Sequence, residues 1–184
     1  MTVGAPSSSN WRSSSKSRPA KRSGIIPWGR NEVSEAEPAQ PVWIYVDVVC
    51  DLFHHGHVEF FRRARALGDR LVVGLVGDAD VASYKPPPIL SFEERRAVVQ
   101  SCRHVDRVLA TPAPLHCTRA FLNEIGAHYV CHGDDMTEEQ LLFWYGDLAR
   151  TGGLRQVPYT TTISSRQIVS RVVERYKAGT LRDG

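Results

Sequence analysis

The 184-residue sequence contains no apolar run approaching the roughly 18 residues that a membrane-spanning helix requires. That absence argues against a helical membrane anchor. It has no apolar h-region near its start either, so a secretory leader is not expected. Its four cysteines, Cys50, Cys102, Cys117 and Cys131, form no CxxC pair and no regular spacing. Reduced, mostly buried thiols in a cytoplasmic protein are the expectation. Cys131 and His132 form a lone adjacent pair, short of a zinc ligand set, so no protein-built metal site is expected. Internal repeats are missing, as are helix-turn-helix, zinc-finger and aromatic RNA-binding signatures.

What charge excess exists is confined to one end. Residues 1–40 hold six Lys or Arg against three Glu, whereas the remainder balances at seventeen against seventeen. The domain itself therefore offers no polyanion-binding surface by net charge, and nucleic acid is not an expected partner. The segment 1–40 is rich in Ser, Pro and basic residues and poor in apolar ones. Such a composition does not offset the entropy of ordering a chain, so this stretch reads as a disordered tail, with an organelle-targeting or weak polyanion-binding role as alternatives. Residues 179–184 read as a second, short disordered end, leaving one folded domain over 42–178.

From Val42 the pattern changes. Val42 to Val46 and Leu71 to Val76 are apolar, β-branched runs of the kind found in strands buried on both faces. Val105 to Leu109, His128 to Cys131 and Gly153 to Val157 read as further strands. Between them, helical spacing marks Val58 to Leu67, Phe92 to Cys102 with Ser91 as its cap, Thr118 to Ile125, Gln140 to Leu148, and a closing helix over Ser165 to Tyr176. Strands alternating with helices predict an α/β domain with a central parallel sheet and helices on both faces. Ligands in such sheets bind beyond the carboxyl ends of the strands at the switch in strand order, which brings the loops Asp47 to His57 and His132 to Asp135 to one mouth.

The chemistry-bearing signal is His54-His55-Gly56-His57, directly after a predicted strand and just before a helix. Two imidazoles three residues apart can face one ligand, the intervening glycine allows close backbone approach, and a helix N-terminus adds partial positive charge. A phosphate cradle fits these features better than a His-rich surface loop or a two-histidine metal site.

The stretch Asp47-Val48-Val49-Cys50-Asp51-Leu52-Phe53-His54-His55-Gly56-His57-Val58-Glu59-Phe60 resembles the signature of the cytidylyltransferases acting on phosphoethanolamine, phosphocholine and glycerol phosphate. Tyr84-Lys85 with Pro86 to Pro88 and Ile89, Glu93-Glu94-Arg95-Arg96, Cys102 to Asp106 and Val130 to Gly133 follow in that family's order, so the resemblance covers about residues 43–176. Phosphonate cytidylyltransferases are similar in layout. The resemblance implies a Rossmann-like three-layer domain of the HxGH nucleotidyltransferase type that dimerises with a second copy. It further implies transfer of CMP from CTP, carried with Mg²⁺, to a small phosphate- or phosphonate-bearing alcohol, with pyrophosphate leaving. The HxGH motif alone does not fix the base, since adenylyltransferases share it.

Carried onto this chain, the resemblance makes His54, His57 and Lys85 the catalytic cations. It assigns the nucleotide to Val48, Val49, Cys50, Gly56, His132, Gly133, Asp134, Thr162, Ser164 and Ser165, and the acceptor to Asp47, Lys85 and Leu115. Three departures stand out. Val48 occupies a usual glycine position. Leu115 replaces a common aromatic and offers no cation–π face. Tyr159 to Ser165 keeps the hydroxyls of the family's Arg-Thr-x-Gly-x-Ser-Thr motif but has Tyr159 for its arginine and Thr162 for its glycine, with Arg155 and Arg166 as candidate replacements for the charge. A binding domain without turnover is the alternative these departures leave open.

Overall fold

The computed structural model describes residues 40–181. Chain order runs β1 (Trp43–Val48), α1 (His55–Arg65), β2 (Arg70–Leu75), α2 (Asp78–Ala82), α3 (Phe92–Gln100), β3 (Arg107–Val108), α4 (Arg119–Glu124), β4 (Tyr129–Gly133), α5 (Glu138–Tyr145), α6 (Asp147–Arg150), β5 (Leu154–Val157) and α7 (Ser165–Lys177). The five strands form one sheet in the order β3-β2-β1-β4-β5, with every pair parallel. The chain winds outward from β1 through β2 to β3, then returns to the other side of β1 for β4 and β5. Ile44 is consequently paired with Leu71 on one flank and Tyr129 on the other. The carboxyl ends of β1 and β4 flank the topological switch point, where the two outgoing loops diverge and leave a crevice.

Side-chain alternation along the strands sorts the core into two layers. Ile44, Val46, Leu71, Val73 and Leu75 pack with Phe61 and Ala64 of α1 and Val99 of α3. Tyr45, Val72 and Val130 face the opposite way, onto Leu122 of α4, Tyr145 of α5 and Leu148 of α6. Helices thus cover both faces, giving the Rossmann-like three-layer arrangement. Each fully buried Leu, Val or Phe contributes roughly 1.5–3 kcal/mol by removal from water. The sheet's amino edge is stapled by Asp106, which accepts from Leu71 N at 2.8 Å and pairs with Arg65 at 2.8 Å and Arg70 at 2.7 Å.

Several boundaries differ from the sequence reading, each for a local reason. β1 continues through Asp47 and Val48, which pair with Gly74 and Leu75. α1 starts at His55, three residues before Val58, because His54 serves as its cap. The expected helix over Gln140 to Leu148 breaks in two at Gly146, whose φ of 49° leaves the helical region. The strand expected over Val105 to Leu109 shortens to Arg107–Val108, and α2 is a five-residue helix that the pattern did not signal. After α7, Ala178 and Gly179 form a turn, and Thr180 N donates back to Arg175 O at 2.9 Å. Residues 182–184 lie outside the described residues, as do residues 1–39 and with them the reading of the N-terminal segment.

Candidate active site

The loop leaving β1 is held in an uncommon backbone conformation. Cys50 and Leu52 have φ of 56° and 47°, the left-handed region that side chains disfavour. Such residues cost about 1–3 kcal/mol each and persist where surrounding contacts fix them. Those contacts are explicit here. The Asp51 carboxylate accepts from Leu52 N, Ile89 N and Leu90 N, each at 3.0 Å. Ser165 Oγ donates to Asp51 O at 2.6 Å, joining the loop to the first turn of α7. Arg95 lies wholly buried on α3. It donates to Val49 O, to Leu90 O at 3.2 Å, to Val76 O at 3.0 Å and to the Asp78 carboxylate. One guanidinium therefore joins the loop after β1 to the segments after β2. In the sequence, Arg95 was one member of a charged motif with no assigned role.

His54 and His57 close the loop. The Gly56 N–H donates to His54 Nδ1 at 3.2 Å and the His54 N–H donates to His57 Nδ1 at 3.3 Å, a reciprocal capping box made of imidazoles. A ring nitrogen that accepts carries no proton, so each ring bears its proton on Nε2 and presents an N–H donor. The rings stack with centroids 3.9 Å apart. Burial, aided by the charge of His54, pushes the His57 pKa down to about 3. Burial, with His55, lowers His54 as well. Both are therefore neutral hydrogen-bond donors at physiological pH, not the cations that the resemblance implies, because burial opposes the charge and each Nδ1 is engaged as an acceptor. Gly56 is required between them: a Cβ there would stand 3.0 Å from Cε1 and Nδ1 of His54 and 3.3 Å from Ile163 Cγ2.

These groups line a cavity of about 860 Å³ at the switch point. Its walls include Asp47 and Val48 at the end of β1, Val49, Cys50 and His54 from the loop, Gly56 and His57 in the first turn of α1, and Lys85 and Pro86 to Pro88 after α2. His132 and Gly133 close β4, and Ser164 and Ser165 open α7. Burial lowers the Lys85 pKa, and Asp51 works against that. Asp47 accepts from the Tyr145 hydroxyl at 2.8 Å. Burial raises the Asp47 pKa while that hydrogen bond opposes the rise.

Three residues expected at the site do not line the cavity. The Asp134 carboxylate accepts from Tyr159 N at 2.8 Å and so fixes the β5–α7 connection. Thr162 Oγ1 shares a 2.9 Å hydrogen bond with His55 Nε2, outside the paired imidazoles. Leu115 sits in the loop beyond Ala113, which bridges Val76. The cavity also contains residues that sequence reasoning left without a role there, among them Asp51, Asp135 and Thr160. Of the two candidate replacement arginines, Arg166 lines the cavity. Arg155 instead lies 4.1 Å over the Tyr129 ring and lines a separate cavity of about 750 Å³ near the start of β4.

A parallel α/β sheet with neutral paired imidazoles, a lysine and a helix start converging at its switch point defines a Rossmann-like domain suited to binding a nucleotide's phosphates. The cytidylyltransferase-like family model matches residues 49–176, and the chain belongs to that family. It is 35% identical over 139 residues to an ethanolamine-phosphate cytidylyltransferase of Arabidopsis thaliana, covering 73% of this chain and 33% of that protein. Over 149 residues it is 32% identical to the human choline-phosphate cytidylyltransferase A, covering 79% of this chain and 40% of the relative. The chain thus spans about a third of the length of the curated relatives it matches. Among solved structures, it resembles the lipopolysaccharide core biosynthesis protein of Thermoplasma volcanium GSS1 at a TM-score of 0.53 and 21% identity, over 66% of this chain and 98% of that one. That likeness concerns the fold.

Proposed function

We propose that this protein transfers CMP from CTP to a small phospho-alcohol of the phosphoethanolamine type, releasing pyrophosphate. The observation that carries the reading is the pair His54 and His57, both Nδ1 atoms held by backbone N–H groups and both Nε2–H donors at a cavity that also holds Lys85. An oxygen of the acceptor phosphate attacks the α-phosphorus of CTP. The bond from that phosphorus to the oxygen bridging to the β-phosphate breaks, and pyrophosphate departs with the electron pair. No covalent enzyme intermediate is required, so the residues act by orientation and by stabilising charge on the phosphoryl oxygens. The imidazoles donate to those oxygens without needing to lose a proton, and Lys85 supplies a full positive charge. The curated relatives named as ethanolamine-phosphate and choline-phosphate cytidylyltransferases support this choice of nucleotide and acceptor.

Asp47 fits the acceptor end of the cavity. Its partly buried carboxyl, steadied by Tyr145, favours ionisation when a cationic head group arrives, because an opposite charge offsets desolvation. Mg²⁺ is proposed to enter with CTP. Among the described residues no cluster of three or more His, Cys, Asp or Glu is placed to hold a metal. The cavity carboxylates of Asp47 and Asp51 are hydrogen-bonded to Tyr145 and to backbone. This donor set fits an ion that keeps its waters and phosphate oxygens, and Asp135, which lines the cavity, would be the carboxylate to approach it. When bound, Mg²⁺ neutralises the leaving pyrophosphate. We further place the activity in the cytoplasm, in keeping with four free cysteines, and in a homodimer.

The test is pyrophosphate release by purified protein with Mg²⁺ and each of four nucleoside triphosphates. These are crossed with phosphoethanolamine, phosphocholine, glycerol 3-phosphate and 2-hydroxyethylphosphonate, with His57→Ala as control. Release with CTP and phosphoethanolamine, lost in the variant, is the expected result. A response to 2-hydroxyethylphosphonate alone moves the acceptor to phosphonates. Calorimetric CTP binding without release from any acceptor replaces the enzyme reading with a non-catalytic one.

A further inference from the structure

The charges around the cavity single out one of the two candidate replacement arginines. Among the cavity's lining residues only Lys85 and Arg166 carry a permanent positive charge, against the carboxylates of Asp47, Asp51 and Asp135. The His54 and His57 rings donate hydrogen bonds as neutral groups, since each Nδ1 is engaged as an acceptor. A triphosphate therefore meets few full cations here, and Arg166 is one of two.

Arg166 is also available. It forms none of the salt bridges found among the described residues, and it is exposed at the cavity wall. Neighbouring arginines are committed elsewhere: Arg63 pairs with Glu59 and donates to Pro158 O, Arg95 is buried in its carbonyl clamp, and Arg155 bonds Gly152 O and Leu154 O and lines the other cavity. The backbone that carries Arg166 is anchored one residue earlier, where Ser165 Oγ donates to Asp51 O in the loop that carries His54. Position 159, at the opposite end of the same connection, is also on the cavity wall and holds an uncharged tyrosine, 47% exposed.

Resting on the nucleotide reading above, we infer that Arg166 is a phosphate-binding residue, its guanidinium docking on the β- and γ-phosphates of bound CTP from the first turn of α7. A planar guanidinium makes forked, charge-assisted hydrogen bonds to phosphate that an ammonium does not reproduce. The charge this segment lacks at position 159 is supplied at 166.

The experiment titrates Mg²⁺-CTP and CMP into the full chain by calorimetry and measures the KM for each substrate. Wild type is compared with Arg166→Ser, Arg166→Lys and the double variant Tyr159→Arg/Arg166→Ser. Loss of one such contact at a solvated wall should weaken CTP about tenfold, the equivalent of about 1.4 kcal/mol. CMP affinity and the acceptor KM should stay unchanged, Lys should recover part of the loss, and the double variant should recover most of it. Equal CTP affinity in wild type and Arg166→Ser overturns the assignment, as does an equal loss for CMP. Wild-type protein that binds no CTP overturns the functional reading itself, a separate outcome.

Discussion

Acidification should destabilise this protein through His57, by an amount the structure sets. The His57 pKa lies near 3 in the folded protein because burial, and then the neighbouring His54, oppose its charged form, whereas an unfolded histidine titrates near 6.5. The folded chain therefore binds fewer protons than the unfolded chain between those two values. Stability is constant above about pH 6.5 and falls as pH drops through the window below it. Each pH unit inside the window costs about 1.4 kcal/mol, so moving from pH 7 to pH 5 should remove about 2 kcal/mol through His57 alone. His57→Asn isolates the effect, because the amide oxygen can accept from His54 N as Nδ1 does and cannot titrate. Urea denaturation of both proteins at pH 7 and pH 5, without phosphate, is the assay. Wild type should lose about 2 kcal/mol more than the variant, or roughly 4–8 °C in Tm. Equal losses would show that His57 protonates freely in the folded state, and the neutral-donor account would fail with it.

Other perturbations separate the parts of the site. Tyr145→Phe removes the hydroxyl that donates to Asp47; the acceptor KM should rise about tenfold with the CTP KM unchanged, and an unaltered acceptor KM would dissociate Asp47 from the head group. Gly56→Ala drives a methyl against His54 and Ile163; kcat should fall about a hundredfold from a displacement well under the size of a side chain. The same variant should change unfolding free energy by less than about 1 kcal/mol, since alanine favours the helix that the clash opposes. Arg95→Met leaves the carbonyls of Val49, Val76 and Leu90 without their guanidinium partner; a loss of about 3–5 kcal/mol in urea denaturation is expected, and a loss below about 1 kcal/mol would mean that water replaces it without cost.

What was legible in the sequence was what local patterning determines. The strands around Ile44, Leu71 and Val130 carry short apolar runs, and Ser91 caps α3 as its residue type predicts. The paired histidines are three residues apart, so their juxtaposition follows from one helical turn. Features that depend on distant partners were not visible. Arg95 meets Val49 across 46 residues, Asp51 meets Ile89 across 38, and Tyr145 meets Asp47 across 98. Nothing adjacent in the chain marks these contacts. The partners of Asp134 and Thr162 were hidden for a related reason: matching a motif by order does not reveal that a nearby backbone N–H or imidazole engages a polar side chain.

The claim that the acceptor's phosphate attacks the α-phosphorus of CTP is open to one direct measurement. Phosphoethanolamine labelled with ¹⁸O in its phosphate is incubated with CTP, Mg²⁺ and the purified chain, and the products are resolved by mass spectrometry. The account predicts CDP-ethanolamine carrying all the label and unlabelled pyrophosphate. Label appearing in pyrophosphate, or CTP consumed with CMP and no CDP-ethanolamine formed, would contradict it.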